Sequence, residues 1–382
     1  MKKIIVLFLI IGVFLSFGKI SLADDVVPSE SLPEVSAESA ILICADNCEV
    51  IFGKNEKQKR AIASTTKIMT SLLALESCEA EDKKVTITNK MVPVEGSSMY
   101  LEVGQILSMS GLAKGMLTVS GNDAANSVAI AMAGSIEKFA EMMNDKAKQI
   151  GMKDTHFVTP SGLDAEEHYS TAYDMALLGA YAMENKMFRD ISSKKRVDVQ
   201  FWEPDQIKTY YNENRLLKRY DGCIGIKTGF TKKAGRCLVS SAERDKTRLV
   251  AVTLNAPDDW NDHEKLFNYG FSQVETVTFD DSDDIIVPVV GAQDENTYVG
   301  VKGKTVATVP KCKKSKIKKE IDVAPFLYAP LKEGQVVGKI LYVLDGNVIA
   351  SNELVAKSDV DYYKESTGIW NRFLNFVKGI FT

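Results

Sequence analysis

The stretch "ASTTK" sets Ser64 three residues before Lys67, a spacing that on a helix places both side chains on one face, one turn apart. A serine hydroxyl is a weak nucleophile until a base takes its proton. Lysine serves as that base only when burial or a neighbouring cation lowers its pKa. Lys227, in "IKTGF", supplies such a cation if its strand runs beside the helix. Between the two lies "SGND", where Ser120 can relay a proton to a leaving amine and Asn122 can donate its side-chain amide to a substrate backbone. A helix that starts at Ser64 also aims backbone N–H groups at a developing oxyanion, and the N–H of Phe230 is the second donor. Gly229, without a side chain, lets that strand edge approach an acyl group closely. The chemistry these residues describe is acyl transfer through a serine ester.

Each motif alone has a plainer explanation. Ser64 could cap a helix, Lys67 could be solvated, "SGND" could be a turn, and "KTG" an ordinary hairpin strand. Ser-x-x-Lys by itself occurs by chance in many chains of this size. The three in this order, on helix, loop and strand, carry the signal.

The elements around them are legible from periodicity. "SAILICADNCEVIFGKN" reads as strand, turn, strand. From Ala61 the period becomes helical, with Ile68, Met69, Leu72, Leu73 and Leu75 on one face. "LSMSGLAKGMLTVSGNDAANSVAIAMAG" reads as two helices broken at "VSGND", and "SIEKFAEMMNDKAKQIGM" and "TAYDMALLGAYAMEN" as two more. Then "GCIGIKTGF", "GRCLVSSAERD" and "TRLVAVTLNAP" form an antiparallel meander. Strands from both ends of the segment with helices between them predict an α+β domain, its antiparallel sheet covered by helices, over residues 37–272. Short strand-like runs and turn residues over 273–357 predict a small all-β domain, a sandwich or barrel. Within it "KCKKSKIKKE" reads as a solvated edge or turn.

Both ends differ from these domains. Two lysines, an apolar run and Ser21-Leu22-Ala23 read as a signal peptide, residues 1–23, and the polar residues 24–36 as a linker. The mature chain is thus expected to be exported. In "GIWNRFLNFVKGIFT" the aromatic and aliphatic side chains gather on one helical arc, with Asn371, Arg372, Asn375 and Lys378 opposite. Residues 367–382 therefore read as an amphipathic helix lying in a membrane interface, too short to span one. A net charge of −4 over 382 residues excludes a general nucleic-acid binder. Cysteine and histidine spacings fit no zinc site, and no metal or organic cofactor is expected. Cys44 and Cys48 could face each other across one hairpin, and Cys223 and Cys237 flank another; bridges and free thiols both remain open.

With "STTK", "SGN" and "KTG" go "GSSMYLEVGQ", "TPSGLD" and the late "APLKEGQVVGKI". Together these resemble the low-molecular-weight penicillin-binding proteins, the serine-type D-alanyl-D-alanine carboxypeptidases of peptidase family S11, from about residue 36 to the C-terminus. The resemblance implies a penicillin-recognising, β-lactamase/transpeptidase-like α+β domain, a β-rich domain and a C-terminal amphipathic anchor on the outer face of the cytoplasmic membrane. It implies stem peptides ending in D-Ala-D-Ala as substrate and β-lactams as covalent inhibitors. By the same resemblance Ser64 is the acyl-enzyme nucleophile, Lys67 its proton acceptor and Ser120 an aid to proton transfer. Asn122 positions substrate, Lys227 with Thr228 binds the terminal carboxylate, and Ser64 and Phe230 supply the oxyanion N–H groups. The position after "KTG" varies in the family, often histidine or threonine; here it is Phe230, whose backbone N–H can still serve the oxyanion hole.

Three alternatives share the motifs. A class A β-lactamase uses a glutamate within E-x-x-L-N for deacylation; no such string lies between Asn122 and Lys227, and Glu166 and Glu167 stand in "DAEEHYS". A catalytically dead wall-binding module would be expected to have lost one of Ser64, Lys67, Ser120 or Lys227. An endopeptidase acting on D-alanyl cross-links shares the same chemistry.

Overall fold

The computed structural model describes residues 31–363 and, beyond them, positions 373, 376 and 377. The first part of the chain forms β1 (Ser39–Cys44), β2 (Val50–Lys54), α1 (Lys67–Ser77), β3 (Lys84–Thr86) and β4 (Ile106–Ser108). Helices α2 (Met109–Val119), α3 (Asn122–Ala133), α4 (Ile136–Ile150), α5 (Ala172–Glu184) and α6 (Lys186–Ser192) follow. The hairpin β5 (Arg196–Glu203) and β6 (Asp205–Tyr211) comes next, then the single turn α7 (Leu216–Arg219). The meander β7 (Cys223–Thr231), β8 (Gly235–Arg244) and β9 (Thr247–Leu254) leads into α8 (Asp259–Gln273).

Strands from the two ends of this segment join one antiparallel sheet in the order β2-β1-β9-β8-β7. Both of its faces are covered, which explains why "SAILIC" is buried at every position rather than alternating with polar residues. Ile41 and Ile43 point into the core built with α1, α2, α3 and α5, whereas Ala40 and Leu42 point into the smaller core under α8. Covering both faces leaves β7 at one edge, its outer side open. A second sheet, β3-β4-β5-β6, flanks the helices. It had no clear sequence signature, since β3 and β4 have three residues each.

Downstream the chain is all β. The ribbon of β10 (Val274–Phe279) with β13 (Thr305–Pro310) stands beside a six-stranded sheet. That sheet runs β14 (Lys318–Val323), β16 (Val336–Leu344), β17 (Asn347–Ala356), β12 (Asn296–Val301), β11 (Ile285–Val290) and β15 (Leu327–Tyr328). Val287, Val299, Ile340 and Leu354 make its main core. The lysine-rich stretch forms a 3₁₀ segment and the edge strand β14, largely exposed. Charged edges of this kind discourage pairing with another chain.

The six cysteines are free thiols. Cys44 ends β1 while Cys48 sits in the turn, its backbone bonded to the Cys44 carbonyl. In the β7–β8 ladder Cys223 faces Ala242 and Cys237 faces Gly229, so the second pair are not cross-strand partners. The proposed signal peptide and most of 24–36 lie outside the described residues, as does all of 367–382 except Phe373, Phe376 and Val377. No helix among the described residues is long and apolar enough to cross a membrane.

Candidate active site

Ser64 lies in a 3₁₀ turn, Ala63–Thr66, immediately before α1, rather than in the α-helix itself. Residues three apart eclipse one another in a 3₁₀ turn, and Lys67 Nζ accordingly comes 2.9 Å from Ser64 Oγ. Lys67 is fully buried and also donates to the Ser161 carbonyl at 2.6 Å. Burial first, and the Lys227 cation second, hold its pKa well below the ordinary ammonium value, while Glu213 and Asp123 pull the other way. Lys227 reaches in from β7, 1% exposed, and donates to the Thr228 carbonyl at 2.8 Å. Burial lowers its pKa to about 8, opposed by Glu213. The neutral amine needed at Lys67 thus has two physical causes, lost hydration and a like charge.

Gly229 shows why the strand must be bare at this point. A Cβ there would lie 3.0 Å from the backbone nitrogens of both Ser64 and Thr65 and 3.2 Å from Ala63 Cβ. β7 therefore packs its edge directly against the turn that carries the serine. Phe230, one residue on, is exposed at the rim.

Ser120 ends α2 at φ 59°, a left-handed conformation that costs a non-glycine residue energy and tends to mark functional positions. The break expected at "VSGND" is this residue together with Gly121, after which Asn122 opens α3. Asn122 is buried; its amide NH₂ donates to the Glu95 carbonyl, and Oδ1 has no partner among the described residues. One of the two N–H donors of that amide is thus taken by the 95–99 loop. Asp123 fixes the same loop, accepting from Met99 N, Leu101 N and Ser98 Oγ at 2.6–3.0 Å.

A second loop, "TPSGLD", closes over the turn. Gly162, at φ 82°, lies so near Ala63 that a Cβ would meet the Ala63 carbonyl at 1.9 Å. Thr70 donates to the Pro160 carbonyl at 2.7 Å. His168 ties loop to turn: Nδ1 accepts from Val158 N at 3.0 Å, and Nε2 lies 2.9 Å from Thr66 Oγ1, which donates to the Ala63 carbonyl. Burial lowers the His168 pKa to about 4, so the ring is the neutral Nε2–H tautomer these contacts require.

The cleft has a volume of about 540 Å³. Ser64, Ser120, Thr228, Gly229 and Phe230 line it, with Ser97, Asn212, Glu213, Arg215, Arg236, Asp259 and Trp260. Ser161, His168, Glu213 and Arg236 were not singled out from sequence. The quoted "TPSGLD" string carried the first; the others are isolated residues that only the fold brings together. Among the described residues no cluster of His, Cys, Asp or Glu could hold a metal ion.

An α+β transpeptidase-like domain followed by an all-β domain defines the class. Residues 26–258 match the family described as D-alanyl-D-alanine carboxypeptidase, and residues 275–362 match that of the penicillin-binding protein 5 C-terminal domain. The chain belongs to the first of these families, the serine-type D-alanyl-D-alanine carboxypeptidases of family S11, low-molecular-weight penicillin-binding proteins that act in peptidoglycan maturation. It is 31% identical to D-alanyl-D-alanine carboxypeptidase DacF of Bacillus subtilis, over 98% of this chain and 100% of that one. With DacC of Escherichia coli it shares 35% over 90% and 88% of the two chains. Penicillin binding protein 5 from Haemophilus influenzae superposes with a TM-score of 0.69 at 31% identity, covering 87% of this chain and 99% of that one.

Proposed function

We propose that this enzyme releases the terminal D-alanine of a peptidoglycan stem through an ester on Ser64. Neutral Lys67 takes the hydroxyl proton as Ser64 Oγ attacks the penultimate carbonyl. The oxyanion forms against the N–H groups of Ser64 and Phe230, and Ser120 passes a proton to the departing D-alanine nitrogen. Water then attacks the ester, with the same lysine as base, and frees the shortened stem. Lys227, with Thr228, holds the terminal carboxylate; Gly229 keeps the strand close enough for the acyl group to sit between the two donors. Asn122, which orders the 95–99 loop through the Glu95 carbonyl, positions the substrate. Penicillins, carrying a carboxylate and a strained amide, enter the same sequence and stall at the ester.

The observation that carries this reading is the contact of Lys67 with Ser64 at 2.9 Å, with the lysine fully buried beside a second buried lysine. Ser64→Ala should abolish both D-alanine release and covalent labelling by a fluorescent penicillin. Labelling that survives would remove Ser64 from its role.

Residues 37–272 are on this reading the catalytic domain, and 273–357 a β-rich spacer. Residues 1–23 direct export, and 367–382 hold the enzyme at the outer face of the cytoplasmic membrane. Support for the anchor is the apolar arc of that segment opposite Arg372 and Lys378. A chain ending at Ser366, with its signal peptide cleaved, should be soluble; sedimentation with membranes would refute the anchor.

A further inference from the structure

From the lining of the cleft we infer that Arg236 reads the side chain of the stem residue preceding the two D-alanines, and that it favours a side chain ending in a carboxylate beside its amine, as in diaminopimelate, over one ending in the amine alone, as in lysine. The inference rests on the carboxypeptidase reading above, because that reading sets the direction in which the substrate lies.

β7 is an edge strand, and its open side borders the cleft. An extended peptide can add to such an edge as a further strand. With its terminal carboxylate at Lys227 and Thr228 and its scissile carbonyl by Gly229 and Phe230, the peptide runs antiparallel to β7. At roughly 3.4 Å per residue, the residue upstream of the two alanines comes level with Phe230 and the turn beyond it. Arg236 stands directly across from Phe230 in the β7–β8 ladder, so the two side chains share a face.

The guanidinium is held in place there. One nitrogen donates to Asp259 Oδ1 at 2.7 Å, and the group lies 5.7 Å from the Trp260 ring centroid. Asp259, almost wholly buried, also accepts from Trp260 N at 2.9 Å, which fixes the carboxylate. Arginine carries five N–H donors; Nε is buried with no acceptor among the described residues, while the side chain as a whole is 42% exposed and lines the cleft. A planar fork clamped at one corner and resting near an aromatic ring is suited to a carboxylate and repels an ammonium. Glu213 and Arg215 also line the cleft, and Glu213 is within electrostatic reach of Lys227, at the terminal-carboxylate end.

The test compares kcat/KM for D-alanine release from three soluble pentapeptide stems. They carry diaminopimelate, diaminopimelate with its side-chain carboxylate amidated, or lysine before the alanines. The first should be preferred about tenfold over each of the others, the scale of one partly exposed charge-assisted hydrogen bond. The preference should shrink with added salt. Arg236→Met should bring the three rates within about twofold of one another, whereas Arg215→Met should leave the preference in place. Equal rates on the three stems with the unaltered enzyme, or a preference that survives Arg236→Met, would overturn the inference; the first arm needs no variant and stands even if Arg236→Met misfolds. Release of D-alanine from none of the stems would sink the carboxypeptidase reading as well.

Discussion

Replacing Gly229 by alanine tests the link between strand packing and chemistry at a single atom. The added Cβ would stand 3.0 Å from two backbone nitrogens, those of Ser64 and Thr65, and 3.2 Å from Ala63 Cβ. Ordinary contact begins near 3.4 Å, so β7 and the serine turn must separate by about 0.4 Å. Neither side yields easily: Ala63, Thr65 and Thr66 are buried, and the Ala63 carbonyl is pressed by Gly162 from behind. The separation opens the space between the Ser64 and Phe230 N–H groups, where the oxyanion would form. Removing one oxyanion donor outright costs on the order of 10²–10³ in rate; displacing both partially should cost about 10²-fold in acylation. Overpacking should lower stability by about 1–3 kcal/mol, leaving the protein folded. The assay is the second-order rate of labelling by a fluorescent penicillin, alongside a thermal melt. A folded Gly229→Ala protein that acylates within threefold of the unaltered enzyme would refute the claim that this contact sets the oxyanion geometry.

Two predictions concern pH. Lys227 titrates at about 8, so recognition of a free terminal carboxylate is present below that pH and is lost as pH rises through it; kcat/KM should fall above about pH 8 for acid-terminated peptides and lack that limb for a C-terminal amide. His168 and His263, with pKa values lowered by burial to about 4 and about 3, stay neutral in the fold at pH values where the unfolded chain binds protons at about 6.5. Stability should therefore fall as pH drops from 6.5 toward 4, with His168 alone contributing roughly 3 kcal/mol of loss. Urea midpoints at pH 7 and 4.5 measure it, and midpoints that do not move would exclude the assignment.

The sequence announced this fold where one physical signal dominated. The break between α2 and α3, the meander β7–β9 and the two-ended sheet all follow from periodicity and from turn residues at their boundaries. The three motifs of the candidate site were legible because each joins unusual residue types at fixed spacing. What stayed hidden depends on contacts between distant segments. Nothing local in "EEHYS" says that His168 bonds the threonine two residues after Ser64. β3 and β4 are too short for a pattern, being held by partners rather than by propensity. That the helix opens with a 3₁₀ turn was not legible, because α and 3₁₀ turns share the same residues and differ only in how tightly packing winds them. The hairpins flanked by the cysteines were legible, but spacing did not say which thiols face each other: a ladder offset by a few residues separates Cys223 from Cys237.

Residues proposed to serve the chemistry can run against fold stability, and Lys227 allows the size of that conflict to be measured. It is 1% exposed, and among the described residues no carboxylate is bonded to it and its acceptors are the Thr228 carbonyl and hydroxyl, at 2.8 and 3.4 Å. Its pKa is about 8 in the fold against an ordinary 10.5. Between those values the unfolded chain binds the proton and the folded one releases it, so stability rises with pH across that window. Below pH 8 the full penalty is present, about 3 kcal/mol from the gap between the two values. Lys227→Met keeps the length and the buried stem and removes the charge. The variant should be more stable than the unaltered enzyme by about 1–3 kcal/mol at pH 7, as when other buried charges give way to apolar side chains. That gain should have largely vanished by pH 10.5. Acid-terminated peptides should be hydrolysed poorly by it throughout, because the carboxylate has lost its counter-charge. Urea unfolding at pH 7 and at pH 10.5 decides the matter. A variant less stable at pH 7, or a gain that does not change with pH, would mean that the fold does not carry this lysine at a loss.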